Sequence, residues 1–363
     1  MIEAKVAIIY LSYHSDEYLS DAIEAIKKST FPKEKCVLVF VDNPHPKFGS
    51  SVDSIKKIIE TNKNFLPQTK IISLKENLGF SGGNNEGISW AIDNGFDYIF
   101  LHNQDGSVSP DCLENMVSAM EADKNIGCAQ ALVMLDGTTK INSAGNSFNY
   151  LGFGFIPNYG IEEKYLKLTS VKEVGYASGA ALMLRAENVK KFGGLDNDLF
   201  AYHEDVEYSL RLRFVGLKPV IVPNAKFFHK YIFNKDSSKF YYLERNRYAV
   251  LLMYYKWPTL ILILPILLLL EVGLIGLFYS KGWLKEKIDA YRYWINTEHL
   301  KKCLKKRAVI QKKRTISDRQ FISTSSAKIL LSDDQLISSS ILLDFGNILI
   351  NIYKIIVNLL VFW

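Results

Sequence analysis

Val6-Ala7-Ile8-Ile9-Tyr10-Leu11 is an apolar run cut short by Ser12-Tyr13-His14-Ser15, and the same pattern recurs downstream. Tyr18–Lys28 has helical periodicity. Cys36–Val41 is a second apolar run ending in Asp42-Asn43-Pro44. Val52–Thr61 reads as a helix, Lys70–Leu74 as a third strand and Trp90–Asn94 as part of a helix. Tyr98–Leu101 is a fourth strand, closed by His102-Asn103-Gln104-Asp105. Strands alternating with helices at this spacing predict an α/β protein with a parallel sheet. In such sheets ligands bind beyond the carboxyl ends of the strands. Ser12, Tyr13, Asp42, Asn77, Asn103 and Asp105 all fall just after strand ends and are candidate ligand contacts.

Working outward, the loop Glu76–Gly87 follows the third strand and opens a helix. Its glycines are not followed by Lys-Ser/Thr, so it is no Walker loop, and it lacks the dinucleotide spacing. Two readings remain: a turn that brings backbone to an anionic ligand at a helix N-terminus, or a tight turn packed for its own sake. Asn103-Gln104-Asp105 offers one carboxylate and one amide oxygen, a set suited to Mg²⁺ or Mn²⁺ shared with substrate phosphates. Asp42 reads either as an acceptor for a base or ribose, with Tyr13 as a stacking platform, or as a turn cap before Pro44. From Ala129 to about Leu168 the pattern turns irregular and glycine-rich; it is expected to be a peripheral strand region or lid without assignable chemistry. Val174–Leu184 is expected as a strand with small residues, Gly179 among them, near its start.

Gly193-Gly194-Leu195-Asp196, then Phe200-Ala201-Tyr202-His203-Glu204-Asp205, lead into a short helix over Val206–Arg213. At a helix start Glu204 and Asp205 are expected to stay ionised, held by backbone N–H groups. An ionised carboxylate beside a pocket is what a reaction needs to take a proton from a hydroxyl. Lys218–Val222 is a further strand, and His229 follows it. Alone His229 reads as a surface histidine; beside Asp105 it becomes a further metal ligand.

The chain has 363 residues, 48% of them apolar, and a net charge of +6 with Lys and Arg concentrated in its last third. That balance points to an anionic surface such as lipid headgroups. The Lys301–Arg314 cluster lacks interleaved aromatics, so nucleic acid is not expected as a partner. Cys36, Cys112, Cys128 and Cys303 have no regular spacing, which excludes a disulfide frame or zinc site. The N-terminus carries no secretory signal and is expected to be cytoplasmic. Pro258–Tyr279 is almost wholly apolar, with Glu271 its only charge, and is long enough to span a bilayer. Lysine and arginine on both flanks, Pro265, Gly273 and Gly276 favour a re-entrant or in-plane element over a straight span. Thr315–Ser340 is serine-rich and reads as a linker. In Ile341–Trp363, Asp344, Asn347, Asn351, Lys354 and Asn358 share one helical face, as in an interfacial helix or one packed on a partner, a homo-oligomer included.

These pieces together resemble the family 2 glycosyltransferases of GT-A fold, in particular their rhamnosyltransferase-like members. The likeness covers about residues 4–235. It rests on Ser12-Tyr13, Val41-Asp42-Asn43, Asn77-x-Gly79-Phe80-x-x-Gly83-x-Asn85, Asn103-Gln104-Asp105, Ser178-Gly179-Ala180, Gly193-Gly194-Leu195-Asp196, Glu204-Asp205-x-Glu207, Arg211 and Pro223 through His229. The resemblance implies a Rossmann-like, mostly parallel central sheet flanked by helices, with a C-terminal helical membrane-associated region. With the hydropathy and composition beyond it, the likeness divides the chain into a catalytic domain (1–240), a membrane-association region (241–314), a linker (315–340) and a terminal amphipathic membrane or oligomerisation helix (341–363). It implies inverting transfer of a sugar from a nucleotide diphosphate donor to an acceptor hydroxyl; a membrane foot near a soluble site suits a lipid-linked or growing cell-envelope glycan as acceptor, at the cytoplasmic face of the membrane. Rhamnose on deoxythymidine diphosphate is the first donor it suggests; galactose or glucose on uridine diphosphate is next. Asp205 matches the family's general base, with Glu204 beside it; Asp105 matches the metal aspartate and His229 an occasional further ligand. Ser12, Tyr13, Asp42, Asn77, Gly79, Gly83, Asn85, Asn103 and Gly179 fall to the donor site. The family's Asp-x-Asp is Asn103-x-Asp105 here, which implies weaker or partial dependence on Mg²⁺ or Mn²⁺. The competing reading is a membrane-tethered scaffold that binds nucleotide sugar without turnover.

Overall fold

The computed structural model describes residues 3–231, 237–330 and 340–363, with backbone alone for 340–342. The strands are β1 (Val6–Ser12), β2 (Cys36–Asp42), β3 (Gln68–Ser73), β4 (Tyr98–His102), β5 (Gly106–Val108), β6 (Ile126–Leu135), β7 (Ile141–Ser143), β8 (Ser147–Phe148), β9 (Gly154–Phe155), β10 (Lys172–Glu173), β11 (Ala181–Arg185) and β12 (Lys218–His229). The helices are α1 (Leu19–Lys27), α2 (Val52–Asn62), α3 (Gly79–Asp93), α4 (Cys112–Ala122), α5 (Ala186–Phe192), α6 (Glu204–Phe214), α7 (Ser238–Tyr254), α8 (Trp257–Ser280), α9 (Leu284–Ile295), α10 (Thr297–Lys313), α11 (Asp318–Thr324) and α12 (Ser340–Leu360). They fall into two compact units.

The first unit comprises Met1–Asn146, Ile156–Arg213 and Leu217–Phe233. Its sheet runs β10-β12-β6-β11-β4-β1-β2-β3, with β5 on β12 and β7 on β6. β1, β2, β3 and β4 are parallel neighbours, while β11 lies antiparallel between β4 and β6. Every residue of β1 and β2 is buried, as parallel strands covered on both faces require. Ile8, Tyr10, Leu38 and Phe40 pack with α1 and α4 on one face. Ile9, Leu11, Val39 and Val41 pack with α3 and α6 on the other.

Four sequence expectations change here. The stretch expected to be an irregular lid begins inside β6, a ten-residue interior strand of the sheet. Its run Ile-Gly-Cys-Ala-Gln-Ala-Leu mixes small and polar residues, so the apolar signal is weak although the strand is buried. The Val174–Leu184 strand is confined to β11, and β12 reaches His229 itself, across an irregularity between Val222 and Lys226. The glycine loop is mostly helix, since α3 starts at Gly79.

The second unit comprises Ser147–Phe155, Phe214–Gly216 and Asn234–Trp363, so the division at residue 240 does not follow the fold. Phe214 stacks edge-on with Tyr254 and Phe321, and the Tyr150 hydroxyl donates to the Ile350 carbonyl at 3.0 Å. Where a linker was expected over 315–340, α11 stands instead. Ser317 and Gln320 form a reciprocal capping box that starts it, and Phe321 and Ile322 are buried. Residues 331–339 of that stretch lie outside the described residues. Asn347 bonds both backbone groups of Ile329, and Lys354 donates to the Ser325 carbonyl. Part of the polar face of α12 thus turns toward protein.

Candidate functional site

Register decides which residues meet. His102, the last residue of β4, pairs with Ala181, the first of β11. One step beyond, the Asn103 N–H donates to the Ala180 carbonyl at 3.0 Å. The preceding Gly179 N–H donates to Asp205 Oδ2 at 3.0 Å. Asn103 and Asp205 are therefore tied to neighbouring residues of one short segment. That segment is held in turn by β6, where Gln130 Oε1 accepts from the Ser178 N–H at 2.8 Å.

Asn103, Asp105 and His229 form one polar cluster. Asn103 Nδ2 donates to Asp105 Oδ1 at 2.7 Å, and His229 Nε2 lies 2.9 Å from the same oxygen and 3.1 Å from Asn103 Nδ2. His229 Nδ1 is 3.0 Å from Asn142 Oδ1, an acceptor, so Nδ1 carries the proton in that contact. A neutral His229 then turns a lone pair at Nε2 toward a carboxylate oxygen. Two acceptors at 2.9 Å need a proton or a metal ion between them; the proton comes from an imidazolium or, with the Asn142 amide turned so that its Nδ2, partnerless among the described residues, donates to Nδ1, from the other neutral tautomer. Among the described residues no group of three His, Cys, Asp or Glu side chains forms a cage. An ion here would take its remaining ligands from phosphate and water, which fits a divalent cation shared with substrate. Asn142 belongs to the stretch to which no chemistry was assigned in the sequence; it fixes the ring of His229.

Gln104 works through its neighbours. Its Oε1 accepts from the Tyr13 N–H at 2.6 Å, its Nε2 donates to the Tyr13 carbonyl at 3.1 Å, and its own carbonyl accepts from the Tyr10 hydroxyl at 3.1 Å. The Asn-Gln-Asp turn is thereby locked to the end of β1. Tyr13 lies 4.7 Å from the His45 ring, whereas Ser12 is fully buried with its hydroxyl on Ser15 at 2.7 Å. Asp42 is buried too. It accepts from the Ser51 N–H at 2.9 Å and from the Ser50 hydroxyl, so in this structure its carboxylate caps the approach to α2.

The glycine turn differs from the anion-cradle reading. The N–H groups of Leu78, Gly79 and Ser81 are used by Asn43 Oδ1, Asn77 Oδ1 and the Phe200 carbonyl. A Cβ on Gly83 would meet Leu11 at 2.5 Å, so this glycine serves the packing of α3 on β1. Asn85 clamps the Gly193–Asp196 loop, donating to the Leu195 carbonyl at 2.7 Å and accepting from its N–H at 2.9 Å. Gly79 has φ +71°, and a Cβ there would meet the Phe200 carbonyl at 2.5 Å. The turn thus docks the Phe200–His203 loop, whose Phe200, Tyr202 and His203 all take left-handed backbone. Strain of this kind collects at functional sites, and the composition of Phe-Ala-Tyr-His does not announce it.

Glu204 and Asp205 correct the electrostatic expectation. Burial pushes the Asp205 carboxyl above its usual range, and the Gly179 and Val206 N–H groups pull only partly against it. Glu204 is driven well above the ordinary value by burial and then by the neighbouring Asp205 charge, and its Oε2 has no hydrogen-bond partner among the described residues. Desolvation outweighs the helix start because both groups sit in the protein interior. Glu207 and Arg211, also in the motif, form an ion pair along α6, and Arg211 Nη1 donates to the Phe192 carbonyl at 2.9 Å.

With this geometry in hand, the family is decided by sequence comparison: the model described as Glycosyl transferase family 2 matches residues 7–193. The chain belongs to glycosyl transferase family 2. None of the curated proteins matches its sequence. Among solved structures, GalNAc-T7 with UDP, GalNAc and Mn²⁺ is similar at TM-score 0.56 and 16% identity, over 70% of this chain and 48% of that one. The chain therefore spans about half the length of that relative. The mannosyltransferase PcManGT from Pyrobaculum calidifontis, in complex with GDP-Man and Mn²⁺, gives 0.51 and 13% over 82% and 76%. S. aureus TarS 1–349 with UDP gives 0.50 and 16% over 96% and 89%. At such identities the likeness concerns the fold, a curled and mostly parallel GT-A sheet.

Proposed function

We propose that this family 2 member transfers a sugar from a nucleotide diphosphate donor to an acceptor hydroxyl, with inversion at the transferred carbon. The observation that carries the reading is the segment of neighbouring residues Gly179 and Ala180, whose N–H and carbonyl tie Asp205 and the Asn103–Asp105–His229 cluster to one short stretch of backbone. Asp205 acts as the base: it takes the acceptor proton as the hydroxyl oxygen bonds to the sugar carbon, while the bond to the diphosphate oxygen breaks. A positioned base of this kind contributes about 10²–10⁴ in rate. Asp105 and His229 are the residues that would hold Mg²⁺ or Mn²⁺, with Asn103 bridging them. The bound ion supplies neutralisation of the charge growing on the leaving diphosphate. An imidazole beside a single carboxylate favours Mn²⁺ over Mg²⁺. Burial and the Asp205 charge push the Glu204 carboxyl up further than burial pushes Asp205, so the charge of the pair falls to Asp205.

The donor site lies at the ends of β1 and β2, with Tyr13 the stacking surface and Ser12, Asp42, Asn77 and Gly79 shaping its floor. Rhamnose, galactose or glucose as the sugar and a lipid-linked or growing glycan as the acceptor are the finer parts of the proposal. So is a place on the cytoplasmic face of a membrane. The solved relatives that hold UDP or GDP-mannose, two of them with Mn²⁺, support a nucleotide-sugar donor. The test is Asp205→Asn assayed against a panel of nucleotide sugars with Mn²⁺. Transfer is expected to fall by about 10²–10⁴ while nucleotide binding persists. Full transfer by the variant would remove the proposed base, and no turnover of any donor by the parent chain would leave the scaffold reading in its place.

A further inference from the structure

α8 and α12 lie side by side in the second unit, where the Tyr353 hydroxyl donates to the Leu262 carbonyl at 2.7 Å. Each presents a stripe of large apolar side chains outward. Ile261, Leu268 and Val272 on α8 are 69%, 58% and 70% exposed; Ile348, Ile355 and Leu359 on α12 are 57%, 55% and 74% exposed. The spacing is the same in both helices, so each stripe occupies a single face. Soluble surfaces rarely leave a patch of this extent to water.

Length alone allows a span, since the 24 residues of α8 extend about 36 Å. The ion cluster opposes it. Glu271 is bound by Arg247 of α7 and by Lys287 of α9, the latter at 2.6 Å, and Tyr291 donates to it at 2.6 Å. Both cations also pair with Glu244. Glu271 is nine residues from the end of α8, about 14 Å along it, which is close to the midplane of a ~30 Å hydrocarbon core if the helix crosses. α7 and α9 would be drawn to the same depth. α9 carries Lys285 and Arg292, whose side chains are 85% and 71% exposed. An exposed arginine at that depth costs about 2.5–3.5 kcal/mol even on the mildest scale.

Lying flat removes the conflict. Lys256 precedes α8 and Lys281 and Lys285 follow it, while Lys301, Lys302, Lys305, Lys312 and Lys313 are exposed on α10. Both ends of α8 are thus cationic, complementary to an anionic headgroup layer. A second copy seated on the same face would set lysine against lysine. We propose that α8 and α12 form a one-sided foot lying in the plane of an anionic lipid surface, with neither helix crossing the bilayer. The inference rests on the membrane association proposed above and is independent of the sugar-transfer chemistry.

Two measurements on the full-length protein test it. In flotation, the parent chain should bind phosphatidylcholine vesicles containing phosphatidylglycerol and lose binding as salt rises. Leu268→Glu with Val272→Glu should weaken that binding about tenfold or more. For sidedness, Lys256→Cys, Ser280→Cys and Glu60→Cys are each labelled with a membrane-impermeant maleimide on sealed vesicles from expressing cells; the native cysteines are buried. All three should react from the same face, a readout that stands even where the double variant fails to fold. Labelling of Lys256→Cys and Ser280→Cys from opposite faces overturns the in-plane arrangement. No binding by the parent chain to either vesicle type overturns membrane association itself. A double variant that binds vesicles as the parent does, but elutes as a smaller oligomer, assigns the face to a second copy and overturns the foot.

Discussion

At the residue scale, Asp205 and Glu204 carry opposite consequences for pH. Asp205 must be ionised to take a proton, and burial raises its folded-state value. Activity should therefore fall on acidification at a pH above the ~3.9 of a free aspartate, which a kcat profile reads as a displaced acid limb. Glu204 binds its proton more tightly folded than unfolded. Its contribution to stability is whole below the ordinary glutamate value and is lost as pH rises through the raised one. Glu204→Gln should accordingly be more stable than the parent at neutral pH and equal to it in acid, measured by urea unfolding at both. Asn142 touches no substrate in this scheme but orients His229. Asn142→Ala should weaken Mn²⁺ affinity by about 10–100-fold, read by calorimetry with UDP present, with little change in thermal stability.

At the element scale, the approach to α6 is built by the turn that opens α3. Gly79→Ala forces a Cβ into the Phe200 carbonyl from a left-handed backbone. It should cost about 1–3 kcal/mol and lower kcat as the Phe200–His203 loop moves. In the second unit, α7, α8 and α9 are joined by two acids and two bases with Arg247 and Lys287 fully buried. Removing one partner strands a buried charge. Arg247→Met should destabilise the fold by about 3–5 kcal/mol, and the double variant Arg247→Met, Glu271→Gln should recover part of that in chemical denaturation.

At the scale of the whole molecule, the chain enters the second unit three times, at 147–155, 214–216 and 234 onward. Phe148 stacks on Phe321 at 5.5 Å, and Tyr150 and Leu151 are fully buried. A fragment ending at residue 240 leaves these side chains without cover. It should aggregate or bind a hydrophobic dye, whereas the full chain in detergent should not; size-exclusion chromatography with dye fluorescence separates the two.

The sequence by itself determined the α/β class, because continuous apolar runs such as Cys36–Val41 admit a parallel strand buried on both faces. It also placed Asp42, Asn103 and Asp105 at strand ends, and it singled out His229 and Asp205. Tertiary structure decided the rest. The pairing of β4 with β11 and the bond from Gly179 to α6 tied Asn103 and Asp205 to neighbouring residues, a relation between positions about a hundred apart that no local pattern encodes. Burial raised the Glu204 and Asp205 carboxyls where a helix start alone would lower them. The packing of α3 turned Gly83 and Asn85 from ligand contacts into clamps. The interior strand β6 stayed illegible because its neighbours, not its side chains, make it a strand. Periodicity reports which face of an element is apolar; which other element meets that face is settled only when the chain closes on itself.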